Sequence, residues 1–162
     1  MTAISVTVNG RPHTAQVEPR RLLVDFLRED LGLVGTHIGC EHGVCGTCTV
    51  LLDGEPVNSC LVFALQVDGC SVTTVRGLTG DSELHPLQRA FVDNDVAQCG
   101  FCTPGMILTA NWFIDRQPHA NREEIRTALA GNLCRCTGYT KILDAVEAYR
   151  DSLLENGGGN GD

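Results

Sequence analysis

The sequence is 162 residues long, carries a formal net charge of −8 and is 43% hydrophobic. A chain of this composition can build a hydrophobic core, which excludes wholesale disorder. Its excess of acidic over basic residues argues against nucleic acid or an anionic membrane as a partner.

Two hairpins and one helix are predicted for the first part of the chain. Apolar and polar residues alternate on both sides of Asn9-Gly10, a dipeptide that suits a type I′ turn, and a second hairpin is predicted around Asp53-Gly54. Between the hairpins, "PRRLLVDFLREDLG" (residues 19–32) has apolar residues at helical spacing. A further short strand is predicted over residues 71–75. We therefore expect residues 1–76 to form a mostly β domain with one helix.

The composition changes at residues 77–84, a polar, glycine-containing segment that we interpret as a linker. After it the strand signals vanish, and helices are predicted in "HPLQRAFVDND", "TPGMILTANWFIDRQ", "NREEIRTALAG" and "TKILDAVEAYRDSLLE". In the third of these, Asn121 and Glu124 are placed to form a capping box. We expect a small helical bundle over residues 85–155 and a flexible tail over residues 156–162.

Nine cysteines stand out in a sequence of this length. The N-terminus has no basic and apolar export signal, and no apolar run is long enough for a transmembrane helix. We therefore expect a cytoplasmic protein, in which cysteines bind metal more often than they form disulfides. Because nine is an odd number, we expect at least one cysteine not to be a metal ligand.

The first set of four cysteines follows the spacing C-x4-C-x2-C with a fourth further on: Cys40, Cys45, Cys48 and Cys60. The first three have the spacing of plant-type [2Fe–2S] ferredoxins. Such a cluster with its thiolates carries a charge of roughly −2 and needs nearby donors, which the glycine-rich loop can supply as backbone N–H groups. The predicted second hairpin would bring Cys48 and Cys60 together. A four-thiolate zinc site is the alternative, although zinc prefers paired C-x2-C units.

The second set consists of two close pairs at the ends of predicted helices: Cys99, Cys102, Cys134 and Cys136. Two loop ends of a bundle can converge on one metal centre, and the spacing leaves both an iron–sulfur cluster and zinc open. Arg135, between the second pair, would form a surface salt bridge or donate to sulfur or to a phosphate-bearing cofactor. The ninth cysteine, Cys70, fits neither pattern and is interpreted as a small buried residue.

Both patterns together resemble the iron–sulfur subunit of the molybdenum hydroxylases, the family of xanthine dehydrogenase, aldehyde oxidoreductase and aerobic carbon monoxide dehydrogenase. The resemblance covers nearly the whole chain and is carried by "GCEHGVCGTCTVLLDG", "SCL", "QCGFCTPGM" and "GNLCRCTGY". It implies an α+β chain, in which a plant-type ferredoxin-like (β-grasp) domain precedes an all-α four-helix-bundle domain. It also implies one [2Fe–2S] cluster on each set: Cys40, Cys45, Cys48 and Cys60 for the first, and Cys99, Cys102, Cys134 and Cys136 for the second.

The resemblance further implies an electron-transfer subunit with no substrate-converting site of its own. Electrons from the molybdopterin centre of a large subunit would pass the second cluster, then the first, and reach FAD in a medium subunit. The partners would form a heterotrimer or its dimer with this chain. Gln98 and Cys136 match family positions beside the pterin. A free two-cluster ferredoxin-type carrier is the alternative function. The loop "CEHGVCG" has a weak resemblance to family members that oxidise purines, aldehydes or N-heterocycles.

Overall fold

The computed structural model describes residues 1–79 and 83–157. Its first hairpin consists of β1 (Thr2–Val8) and β2 (Arg11–Val17), joined by Asn9 and Gly10 at φ values of 51° and 76°. A positive φ at both positions is what a type I′ turn requires. The second hairpin, β3 (Thr49–Leu52) and β4 (Glu55–Asn58), turns in the same way through Asp53-Gly54. Both hairpin predictions are confirmed.

A fifth strand, β5 (Ser71–Thr73), joins the two hairpins into one sheet of order β2-β1-β5-β3-β4. It runs parallel to β1, with Ser71 opposite Thr7, and antiparallel to β3, with Val72 opposite Leu52. The strand ends two residues earlier than predicted, because Val75–Leu78 forms a 3₁₀ turn.

The helix predicted over residues 19–32 is shorter than expected and irregular. It begins as α1 (Leu23–Asp25) and continues as a π-helical turn over Phe26–Asp30, where the Leu31 N–H donates to the Phe26 carbonyl at 3.1 Å. Its apolar side chains are fully buried against the sheet, together with strand residues such as Ile4, Val6, Val50 and Val72. This packing forms the core of the first half.

Four longer helices follow, at the places where the sequence predicts them: α2 (Pro86–Asp93), α3 (Thr103–Arg116), α4 (Arg122–Ala128) and α5 (Thr140–Gly157). With α1 they make five α-helices in the described residues. The predicted capping box is confirmed, since the Asn121 side chain accepts from Glu123 and Glu124 N–H groups and Glu124 accepts from Asn121 at 2.7 Å. A second core lies between the helices and includes Leu87, Met106, Ile125 and Ile142.

Helix α5 extends two residues into the segment predicted as a tail. Residues 158–162 of that tail, and residues 80–82 of the predicted linker, lie outside the described residues. In the part of the chain that the structure describes, no helix combines the length and apolarity needed to cross a membrane.

The two halves meet where α3 packs against β3 and the loop that precedes it. A Cβ on Gly105 of α3 would overlap the carbonyl oxygen of Gly46 in that loop, so glycine permits the close approach. At the other end of α3, Arg116 forms an ion pair of 2.6 Å with Glu55 at the start of β4. The interface therefore lies directly beside the first cysteine set.

Candidate metal centres

The first cysteine set lies at one end of the β3–β4 hairpin. Cys48 immediately precedes β3, and Cys60 lies in the 3₁₀ turn that follows β4. The Ser59 hydroxyl donates to the Cys48 carbonyl at 2.6 Å, which fastens the two ends together. Cys48 and Cys60 are 2% and 4% exposed and pack in one small cluster with Val24. The hairpin therefore brings these two cysteines together, as the sequence predicts.

Cys40 and Cys45 lie on the irregular loop before β3 and are only partly buried. The His42 N–H donates to Cys40 Sγ at 3.4 Å. This bond, with donation from the Cys45 thiol and the Val44 N–H, lowers the pKa of Cys40 to about 6. Burial, together with the neighbouring Cys48, raises the pKa of Cys60 to about 11. A buried sulfur of this kind becomes a thiolate when a bound cation compensates its charge.

Glycines hold the loop close to these sulfurs. Gly43 and Gly46 have φ values of 75° and 68°, in the left-handed region that side chains rarely adopt. A Cβ on Gly43 would overlap the side chain of Leu61, and a Cβ on Gly39 would lie 3.1 Å from Cys45 Sγ. The loop therefore wraps the sulfurs as a glycine-dependent cradle.

The second cysteine set converges between helices. Cys102 is the residue before α3, while Cys134 and Cys136 lie in the loop before α5. All four cysteines of this set line one narrow cleft, beside Gly100, Thr103 and Thr137. The sulfurs of Cys99 and Cys136 are 3.4 Å apart. The structure thus brings together residues that are distant in sequence.

The second set divides into an inner and an outer pair. Burial, together with the partner Cys134, raises the pKa of inner Cys102 to about 12. Burial also acts to raise the pKa of Cys134, but the Thr137 hydroxyl at 3.1 Å and nearby N–H groups lower it overall. In the outer, exposed pair, the Phe101 N–H lowers the pKa of Cys99, and Cys99 raises that of Cys136.

This arrangement fits a two-iron cluster by its chemistry. Each set offers four sulfurs as two hydrogen-bonded pairs, and the four thiolates of a [2Fe–2S] cluster are shared between two irons. A structural zinc ion instead takes its four ligands around one point.

The remaining predicted residues have clear positions. Gln98 is exposed and lines the same cleft as Cys136. Cys70 is half-buried rather than buried, packs against the core of the sheet and lies 3.8 Å from the Asp68 carbonyl. Arg135 is exposed and makes no hydrogen bond or ion pair within the described residues. The salt bridge considered for Arg135 is therefore not found there.

Sequence reasoning missed two polar residues of the motif "GNLCRCTGY". Asn132 is 3% exposed, and its side-chain amide donates to the Gly46 carbonyl at 3.0 Å. The Tyr139 hydroxyl accepts from the Cys134 N–H at 2.8 Å and donates to the Asn132 carbonyl at 3.3 Å. The only signal in the sequence was their place beside the cysteines, because their partners depend on the tertiary fold.

The chain matches two models of protein domains. Residues 6–75 match a 2Fe-2S iron-sulfur cluster binding domain, and residues 74–147 match a [2Fe-2S] binding domain. Each match contains one of the two cysteine sets. The chain thus contains two [2Fe–2S] binding domains.

Relatives are similar over nearly the whole chain. It is 52% identical over 148 residues to the 6-hydroxypseudooxynicotine dehydrogenase complex subunit beta of Paenarthrobacter nicotinovorans, covering 90% of this chain and 92% of the relative. It is 39% identical over 159 residues to the aldehyde oxidoreductase iron-sulfur-binding subunit PaoA of Escherichia coli (strain K12), covering 89% and 69%. This chain belongs to the family of iron–sulfur subunits of the molybdenum hydroxylases and aldehyde oxidoreductases. As a member, it is a non-catalytic subunit of an oxidoreductase complex.

A chain of one solved structure has the same fold. The crystal structure of quinoline 2-oxidoreductase from Pseudomonas putida 86 contains a chain with 48% sequence identity and a TM-score of 0.91. The superposition covers 96% of this chain and 97% of that chain. The mixed sheet followed by helices is therefore the fold of an iron–sulfur subunit of this family.

Proposed function

We propose that this chain is the electron-transfer subunit of a molybdenum-containing hydroxylase. The observation that carries the proposal is the presence of two separate four-cysteine centres, joined by a close contact between their loops. The first cluster is held by Cys40, Cys45, Cys48 and Cys60, and the second by Cys99, Cys102, Cys134 and Cys136. When bound, each [2Fe–2S] cluster accepts and donates one electron.

The exposure of each centre supports a direction for the electrons. Cys136 and Gln98 lie at the mouth of the second cleft, and we place them against the molybdopterin of a large subunit. Beside the first centre, Val44 and Leu61 are 64% and 59% exposed, which suits an apolar contact with a medium, FAD-binding subunit. The complex would be a heterotrimer or its dimer.

The proposal includes the finer description of the two domains. Residues 1–76 form a β-grasp, ferredoxin-like domain, residues 77–84 a linker, and residues 85–155 a four-helix bundle. The proposed location is the cytoplasm, where cysteines bind metal more often than they form disulfides.

The relatives support a class of substrate for the whole complex. Two of them are named for oxidising nitrogen heterocycles or their derivatives, namely 6-hydroxypseudooxynicotine and quinoline. Both are more similar to this chain than the aldehyde oxidoreductase subunit is. We therefore propose a nitrogen-containing aromatic substrate, which binds in the large subunit.

Purification of the native protein tests this function. Molybdenum- and flavin-containing chains should co-purify with it, and about four irons and four acid-labile sulfides are expected per copy of this chain. A lone monomer that holds both clusters would instead favour a free ferredoxin-type carrier. A protein that holds zinc and shows no EPR signal on reduction would reject a redox role.

A further inference from the structure

The two cysteine loops are joined by a pair of neighbouring hydrogen bonds. The Leu133 N–H donates to the Cys45 carbonyl at 2.9 Å, and the Asn132 amide donates to the Gly46 carbonyl at 3.0 Å. Two consecutive residues thus donate to two consecutive carbonyls, and Asn132 and Gly46 are 86 positions apart in the sequence. Cys45 belongs to the first centre, and Leu133 is followed by Cys134 of the second. Between these two cysteines, the connection consists of covalent bonds and a single hydrogen bond.

The Asn132–Gly46 bond of this contact is buried, the Leu133 side chain is 51% exposed, and the contact is fixed from several sides. The Gly46 carbonyl also accepts from the Thr49 hydroxyl at 2.6 Å, and the Asn132 amide lies 3.4 Å from that hydroxyl. On the other side, the Tyr139 hydroxyl links the Asn132 carbonyl to the Cys134 N–H. The backbones approach closely because a Cβ on Gly46 would overlap the Gly131 carbonyl oxygen. The distance between the two loops is therefore set by this contact.

A second contact between the loops depends on the side chain of His37 rather than on two backbone groups. The rings of His37 and Phe101 stack at 4.7 Å, and His37 Nδ1 donates to the Phe101 carbonyl at 2.8 Å. Phe101 is 45% exposed. Electronic coupling falls with the number of bonds along a path, and the hydrogen-bonded path through His37 adds its side chain and the backbone from His37 to Cys40. The shorter path through Leu133 and Cys45 therefore has the stronger electronic coupling of the two.

We infer that the Cys45–Leu133 hydrogen bond is the route by which an electron crosses between the two centres, and that Asn132 is the positioning residue that fixes it. The inference rests on the proposed function. The step moves one electron and no atom, so the one-electron oxidation of the second centre accompanies the one-electron reduction of the first. Side chains at the surface, including Phe101, are not needed for it.

The test uses the complete complex with Asn132→Leu and Asn132→Ala, which remove the amide donor without adding a charge near either centre. Both variants should fold, because Thr49 still donates to the Gly46 carbonyl. We expect both cluster EPR signals and both midpoint potentials to be kept, while electron transfer between the clusters after pulse reduction slows by about 10-fold. Hydrogen exchange of the Leu133 peptide should become faster. The matched control, Phe101→Leu, should leave both the rate and the exchange unchanged.

An unchanged rate in both Asn132 variants would overturn the inference, and so would an equal slowing in Phe101→Leu. A purely structural role of Asn132 would shift the potentials or lose a cluster, which the EPR titration detects and which would also count against the inference. If neither variant assembles, rapid exchange of the Leu133 amide in the wild-type complex would reject it, and slow exchange would support it. A wild-type complex without two cluster signals would instead refute the proposed function.

Discussion

Cys99 Sγ and Cys136 Sγ lie 3.4 Å apart, although the two residues are separated by 37 positions. This outer pair is exposed, whereas Cys102 and Cys134 are partly buried beneath it. The one-residue spacing of Cys134 and Cys136 therefore has a structural reason. It lets one loop deliver one sulfur to the inner pair and one to the outer pair, each facing a cysteine of the opposite loop.

Replacement of an outer sulfur should affect a single cluster. In Cys136→Ser, we expect one of the two EPR-resolved clusters to be altered or lost and the iron content to fall toward about two per chain. Cys70→Ser is the matched control, because the hydrogen bonds of Cys70 go to backbone carbonyls of residues 66 and 68. It should leave both clusters intact. Loss of a cluster in the control would show that the assignment of ligands is wrong.

Gly46→Ala should destabilise the contact between the two halves. The left-handed φ of 68° costs an alanine about 1–2 kcal/mol, and the added Cβ would overlap the Gly131 carbonyl oxygen. Gly131→Ala is the control, since a Cβ there meets no atom within 4 Å. We expect a lower midpoint of thermal unfolding for Gly46→Ala only. Equal midpoints for the two variants would contradict this account of the loop.

The sequence predicts those parts of the fold and site that depend on local chemistry. The turns at Asn9-Gly10 and Asp53-Gly54 need only a left-handed backbone, and the cysteine spacings reveal the sulfur donors. The π-helical turn over Phe26–Asp30 could not be predicted, because it depends on how its apolar side chains pack against the sheet. The bond from Asn132 to Gly46 was missed for the same kind of reason, as its partner is set by the tertiary fold.

Helix α2 should lose stability in mild acid through its cap. His85 Nδ1 accepts from the Leu87 N–H at 3.2 Å, which requires an unprotonated nitrogen. Burial lowers the pKa of His85 although Asp115 acts to raise it, so the unfolded chain binds a proton more readily than the folded one. The contribution of this cap to the free energy of unfolding is complete above the ordinary histidine pKa. It is lost as the pH falls through that value toward the lower pKa of His85 in the folded protein.

A variant with a cap that does not titrate provides the comparison. His85→Asn keeps an N-cap acceptor, which typically contributes about 1 kcal/mol, and cannot be protonated in this range. The unfolding midpoint should therefore fall less for His85→Asn than for the wild type between about pH 7.5 and 5.5, on either side of the ordinary histidine pKa. Any acid sensitivity of the clusters is shared by both proteins and cancels in the comparison. Identical falls would exclude His85 as a titrating cap.

Gln98→Ala should slow the entry of electrons without disturbing either cluster. Gln98 is exposed at the mouth of the cleft that holds the second set, so its amide is free to meet the cofactor of a partner. We expect slower reduction of the second cluster by substrate, by up to about 10-fold, with both potentials and the iron content unchanged. Gln117→Ala, at an exposed glutamine that follows α3, is the matched control and should reduce at the wild-type rate. Equal rates in the two variants would remove Gln98 from the contact with the pterin.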